Sequence, residues 1–196
     1  MKDNTYNFWK GAKLHLCCSN DDFRPAMNCI YFDEGHAIAS DGHILICADI
    51  HDISNLNDED IEKLNGKLLN SASYKELLKY PAIRITDTAI EATKALGVYG
   101  SMDVSFKFTK DTTYPNYKSV LDGIGVPEKE DEQVPKTFNT GLNIKSLKRL
   151  ADAVSSEFVD LRYTSRHGAI EVIFSQLSQG YDIRAIIMPR IPQCEK

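Results

Sequence analysis

The stretch from Ala37 to Ile50, AIASDGHILICADI, places Asp41 and His43 two positions apart at the mouth of an apolar run, with His36 and Asp49 on either side. An imidazole beside a carboxylate is a pairing used for proton transfer, and two histidines with carboxylates in reach are the beginning of a metal site. Asp41-Gly42 favours a tight hairpin, because glycine accepts the positive φ that such a turn demands. His36 and His43 would then lie across that hairpin as neighbours. No third ligand follows at a recognisable spacing, and there is no Gly-rich phosphate loop, nucleophile elbow or H-E-x-x-H pattern. The expectation is a protein that is not an enzyme and uses no cofactor or metal. His43 itself remains open between a catalytic or metal-binding histidine, a packing residue and part of a binding surface.

The elements that must position these residues read as helices alternating with short strands. A helix is predicted from about Asn7 to Cys18, with Phe8, Trp9, Ala12 and Leu16 as its apolar stripe. Strands follow in NCIYF, HAIAS and HILICADI, with turns at Asp33-Glu34-Gly35 and Asp41-Gly42. Residues 51–66 are acidic and polar and read as an exposed connection with one short helical turn. SASYKELLKYP has Ser73 and Glu76 at capping-box spacing and Pro81 as a stop, and two strand segments come after it, the first interrupted near Asp87. Residues 121–137, acidic with two prolines, read as a linker. The clearest helix is NIKSLKRLADAVSSE, capped by Asn143, with Ile144, Leu147, Leu150, Ala151 and Val154 on one face and Lys145, Lys148 and Arg149 opposite. FVDLRY, AIEVIF and YDIRAIIMP close the chain as strands. The fold class is therefore α+β, built from about three helix-plus-antiparallel-sheet units: two in a domain over 1–120, a linker over 121–137, and a half domain over 138–196.

The 196 residues are 42% hydrophobic and 26% charged, an ordinary globular composition. No run of about 18 apolar residues is present, and the opening MKDNTYNFWK has no secretory h-region, so an intracellular, cytoplasmic protein with no membrane partner is expected. Five cysteines without C-x-x-C spacing read as reduced, buried thiols. A net charge of -5 excludes a protein that coats nucleic acid through overall basicity, though not one with a local basic face.

Three separated segments resemble signatures of one family, the bacterial sliding clamp that forms the β subunit of the replicative DNA polymerase. NDDFRPAMNCIYFDEGHAIASDGHILICAD is similar to the clamp stretch ending in A-T-D-G-H-R-L-A, YPNYKSVL to its F-P-D-Y-R-R-V, and AIIMPRIP to its C-terminal V-V-M-P-M-R-L. The resemblance implies a DNA-clamp-like fold. Residues 1 to about 115 look like a complete second clamp domain and 138–196 like the latter half of the third.

In that family these segments surround the groove that receives short clamp-binding peptides of polymerases and repair proteins. Carried over by position, Met27, Ser40, Gly42, His43, Leu45, Pro115, Val120, Ile186, Met188 and Pro189 would line it. Apolar walls with a pliable methionine suit Leu or Phe anchors, and turn backbone groups would orient the peptide. Ile44 and Ser119 stand where the clamp usually has arginines, and Arg190 replaces a methionine, which implies a different peptide preference.

The resemblance also implies non-specific phosphate contacts to duplex DNA, for which Lys10, Lys13, Arg24, Lys145, Lys148 and Arg149 are the candidates. Pro25 and Ala26 replace aromatic residues of the loop around Arg24. Two functions compete on this reading. One is a replication processivity factor in which several copies assemble around DNA. The other is a shortened clamp relative that binds such peptides as a monomeric adaptor or inhibitor without encircling DNA.

Overall fold

The computed structural model describes residues 5–123, 140–163, 168–174 and 181–190. The segment 124–139, most of the predicted linker, lies outside the described residues, as does Cys194. Strands β1 (Cys29–Asp33), β2 (His36–Ser40) and β3 (Ile44–Asp49) form the antiparallel meander read from the sequence. Two short helices, α1 (Ile50–Ile53) and α2 (Asp58–Leu64), lead to β4 (Leu68–Asn70) and α3 (Ser71–Leu77). A hairpin of β5 (Ala82–Ile85) and β6 (Ala89–Ala95) continues into β7 (Ser101–Lys107), and α4 (Lys118–Asp122) precedes the gap. Helix α5 (Ile144–Ala153), then β8 (Asp160–Arg162), β9 (Ile170–Ile173) and β10 (Ile183–Ile187), complete the described chain.

Two antiparallel sheets result, one of three strands in the order β5-β6-β7 and one of seven in the order β4-β1-β2-β3-β10-β9-β8. Strand β10 pairs with β3 over its whole length, so elements from both sides of 124–139 share one continuous sheet. Strand β3 is buried on both faces, which explains its unbroken apolar run. Ile44, Ile46 and Ala48 enter the main core beneath the helices, while Leu45 and Cys47 enter a second cluster with Ile38, Tyr114, Tyr117, Leu121 and Ile186.

Several sequence expectations change. The predicted helix over 7–18 is reduced to a 3₁₀ turn, Leu14–Cys17. Tertiary partners take the backbone instead: Tyr6 bridges to Ile83 and Phe8 to Ser54, and the Trp9 and Lys13 N–H groups donate to the carbonyls of Ile53 and Ala153 at 2.8 and 2.7 Å. Residues 51–66 are not merely an exposed connection. Asn57 caps α2 by accepting from Asp60 N–H at 2.8 Å, three acidic residues suit its first turn, and Ile53, Leu56, Ile61 and Leu64 are buried. Helix α3 is capped by Asn70, accepting from Ala72 N–H at 2.9 Å, and not through Ser73. Helix α5 has its expected Asn143 cap, but Ile144 is 73% exposed and the buried positions are Ser146, Leu150 and Ala153. No helix among the described residues is long and apolar enough to cross a membrane.

Candidate functional site

The Asp41-Gly42 turn is closed by its own side chains. Asp41 Oδ1 accepts the backbone N–H groups of His43 and Ile44 at 2.8 and 2.9 Å, Ser40 Oγ donates to the Ile44 carbonyl at 2.8 Å, and Gly42 N–H donates to Ser40 Oγ at 3.1 Å. Gly42 has a φ of +89°, so the backbone favours glycine there; a Cβ would stand 2.9 Å from Nη1 of Arg24, an exposed side chain that can swing away. The Met188 N–H donates to the His43 carbonyl at 2.8 Å, which ties the turn to the end of β10.

The hairpin separates the residues considered for acid-base or metal chemistry. His36 pairs in register with Asp49 and Ser40 with Leu45, so His36 and His43 lie at opposite ends of the two strands and are not neighbours. His36 Nδ1 is 2.9 Å from the Glu34 carbonyl and its Nε2 3.7 Å from Asp182, away from the turn. Among the described residues no group of three or more His, Cys, Asp or Glu is arranged to hold a metal ion.

Beside the turn lies an apolar groove with a cavity of about 270 Å³. Nine of the ten residues carried over from the resemblance border it: Met27, Ser40, Gly42, His43, Leu45, Pro115, Val120, Ile186 and Met188. Pro189 is not among its lining residues. The groove also takes Ile44, which the resemblance tied to peptide preference, and Tyr114, Asn116 and Tyr117, which it did not place in the lining. Tyr114 and Tyr117 flank Pro115 in YPNYKSVL, but no local pattern places them in the groove: that follows from the packing of this strap over Tyr31.

The strap 114–122 is held against the sheet from several directions. Tyr114 stacks on Tyr31 with ring centroids 4.9 Å apart, and Tyr117 meets Tyr31 edge-on at 6.2 Å. The Tyr117 hydroxyl donates to Asp33 at 2.9 Å, Lys118 pairs with Asp33 and Glu34 at 3.1 and 2.8 Å, and Arg184 donates to the Leu121 carbonyl at 3.0 Å. At the rim Val120 is 38% and Met188 39% exposed, so two apolar side chains face solvent at the mouth of a groove whose floor is buried. That combination suits an incoming apolar side chain.

His43 also borders a polar hollow of about 770 Å³ on the other side of the turn, lined by His15, Asp21, Arg24, Asp41, Lys75 and Arg149 among others. A third hollow, of about 540 Å³, is basic. Lys10 and Lys13 meet there with Lys75, Lys79 and Lys94, three lysines that the sequence reading did not bring together because they come from α3, the turn after it, and β6. Lys145 and Lys148 are exposed on α5 outside this hollow, and Lys148 pairs with Asp152 at 2.9 Å. Arg24 is exposed and 3.7 Å from Asp21. Arg149 departs from the solvent-facing position expected of it. Its guanidinium turns inward to Asp41 and to the carbonyls of Leu16 and Cys18, so each of its three nitrogens already has a protein acceptor.

No family model and no curated protein matches the sequence. Solved structures do match the coordinates. A sliding clamp from Bartonella birtlesii, in a structure bound to griselimycin, has a TM-score of 0.62 at 15% identity, covering 96% of this chain and 66% of its own. The fold is clamp-like. The sliding clamp of Caulobacter crescentus gives a TM-score of 0.61 at 13% identity over 97% of this chain and 67% of the clamp. The DNA polymerase III β subunit of Thermotoga maritima gives 0.58 at 13% identity, covering 98% and 67%. The chain therefore spans about two thirds of the length of the clamps it resembles, and the likeness is one of architecture, an α+β arrangement of antiparallel sheets.

Proposed function

We propose that this protein is a sliding-clamp-like replication factor whose groove beside the Asp41-Gly42 turn binds short clamp-binding peptides of polymerases or repair proteins, and whose lysines hold duplex DNA without reading its sequence. The observation that carries the reading is the convergence of three distant segments, 27–45, 114–120 and 186–188, on one apolar cavity. Buried Leu45 and Ile186 form an apolar floor for Leu or Phe anchors, exposed Met188 and Val120 adapt at the rim, and His43 stands at the edge as a polar contact. DNA contact falls to Lys10 and Lys13 with Lys75, Lys79 and Lys94, joined by Lys145 and Lys148 of α5.

A second reading keeps the groove without the ring: the protein acts as a monomeric adaptor or inhibitor that occupies clamp-binding peptides without encircling DNA, since the observation that carries the reading is the groove of this single chain. Solution mass with and without circular DNA separates the two. Self-association and retention on circular but not linear DNA support the ring; a strict monomer that never stays on the circle leaves the adaptor. A labelled clamp-binding peptide that fails to bind, with Met188→Asp indistinguishable from the unmodified protein, sinks both.

A further inference from the structure

The turn that carries His43 is gripped by a residue from the far side of the chain. Two amides of the turn occupy Asp41 Oδ1, and Asp41 Oδ2 takes Nη1 of Arg149 at 2.5 Å. Two further donors of the same guanidinium go to the carbonyls of Leu16, from Nε at 2.7 Å, and of Cys18, from Nη2 at 3.0 Å. Arg149 thus joins three pieces: helix α5, the 3₁₀ turn Leu14–Cys17 with the residue after it, and the hairpin. The Asp41 side chain is only 12% exposed and that of Arg149 34%, so the pair is shielded from much of the solvent that would otherwise screen it.

We infer that Arg149 is a positioning residue for the apolar groove: from α5 it fixes the Asp41 carboxylate, and through that carboxylate the backbone that sets His43 at the lip. This rests on the groove being the peptide site proposed above. A planar fork with fixed directions can satisfy a carboxylate and two separated carbonyls together, which the single ammonium of a lysine cannot do with the same geometry. Without the fork, Asp41 can rotate about its side-chain bonds and its hold on the His43 and Ile44 amides loosens. The Met188 N–H, bonded to the His43 carbonyl, then loses a fixed acceptor on the opposite wall.

The test compares the unmodified full chain with Arg149→Met, Arg149→Lys, Asp41→Asn and the Arg149→Met/Asp41→Asn double variant. Amide hydrogen exchange at His43 and Ile44 is expected to accelerate about tenfold in Arg149→Met, with Arg149→Lys between, while Ile38 and Ile46 stay protected. The double variant is expected to exchange no faster at the turn than Asp41→Asn alone, because both changes remove one interaction. A fluorescent peptide with Leu and Phe anchors is expected to bind Arg149→Met about tenfold more weakly. Unchanged exchange at His43 and Ile44 in Arg149→Met, or additive effects in the double variant, overturns the inference. If Arg149→Met does not fold, Asp41→Asn keeps an oxygen for the turn amides yet removes the charge facing Arg149, and its exchange at the same two amides decides. Failure of the unmodified protein to bind the peptide removes the groove as a peptide site, and the exchange still decides whether Arg149 sets the turn.

Discussion

The Met188 N–H donates to the His43 carbonyl at 2.8 Å, one step beyond the register pair Ile187 and Ile44 that ends the β3–β10 ladder. The ladder thus carries two side chains from distant parts of the sequence to the same lip. Their separation is set by backbone hydrogen bonds, the least adjustable contacts in the fold, so this wall of the groove is formed before anything enters it.

Met188 is half of that lip, and an anionic side chain in its place puts an unpaired carboxylate where an apolar anchor would sit. Met188→Asp is expected to weaken a labelled clamp-binding peptide by about 2 kcal/mol or more, about thirtyfold in Kd, with the urea midpoint of unfolding little changed because the residue is 39% exposed. Fluorescence anisotropy checks it; an unaltered Kd counts against the groove.

Tyr74 is fully buried, meets the Phe8 ring edge-on at 5.5 Å, and donates its hydroxyl to the Ala12 carbonyl at 3.0 Å. Removing the hydroxyl leaves that carbonyl without the donor. Tyr74→Phe is expected to destabilise the fold by about 1–3 kcal/mol with an unchanged denaturant slope, measured by urea unfolding.

Burial first, then the nearby charges of Lys75 and Lys13, hold the His15 imidazole below its ordinary value of 6.5. A base whose pKa is lowered by folding is protonated more readily in the unfolded chain. The stability this represents is present above pH 6.5 and is lost as pH falls from there through the folded-state pKa. His15→Gln is therefore expected to flatten the fall of the urea midpoint between about pH 7.5 and 5. Parallel curves for the variant and the unmodified protein would contradict it.

Burial pushes the Cys17 and Cys47 thiols up to about 12, and Cys18 and Cys29 are raised as well. Thiolate, the reactive form, is therefore scarce at all four, and each is buried in the fold. In a Cys194→Ser background, a colorimetric disulfide reagent at about pH 8 is expected to leave the native protein unlabelled and to react with four thiols in urea. Native labelling faster than unfolding would show one of them to be accessible.

Local pattern exposed some of this architecture and tertiary competition hid the rest. The β1–β2–β3 meander was legible because turn residues and apolar runs agree there, and α5 because its cap and period agree. Residues 7–18 have a helical period, yet their N–H groups find carbonyls on α1 and α5, which no local pattern records. Nine groove residues were reachable through the motifs that carry the resemblance, while Tyr114 and Tyr117 required knowing that the strap lies over Tyr31. Arg149 looked like a third solvent cation beside Lys145 and Lys148. Only the packing of α5 against the 3₁₀ turn shows that its donors face inward.

The place of β10 in the seven-stranded sheet also bears on the order in which the molecule is made. Strand β3 acquires β2 at once, through the short turn over residues 41–43, but its other edge stays open until residues 183–187 have left the ribosome. During that interval Leu45 has neither Ile186 beside it nor Met188 at the lip, and no groove exists. Anything that recognises the assembled groove therefore distinguishes a chain whose residue 188 has emerged from the ribosome from every nascent one in which it has not.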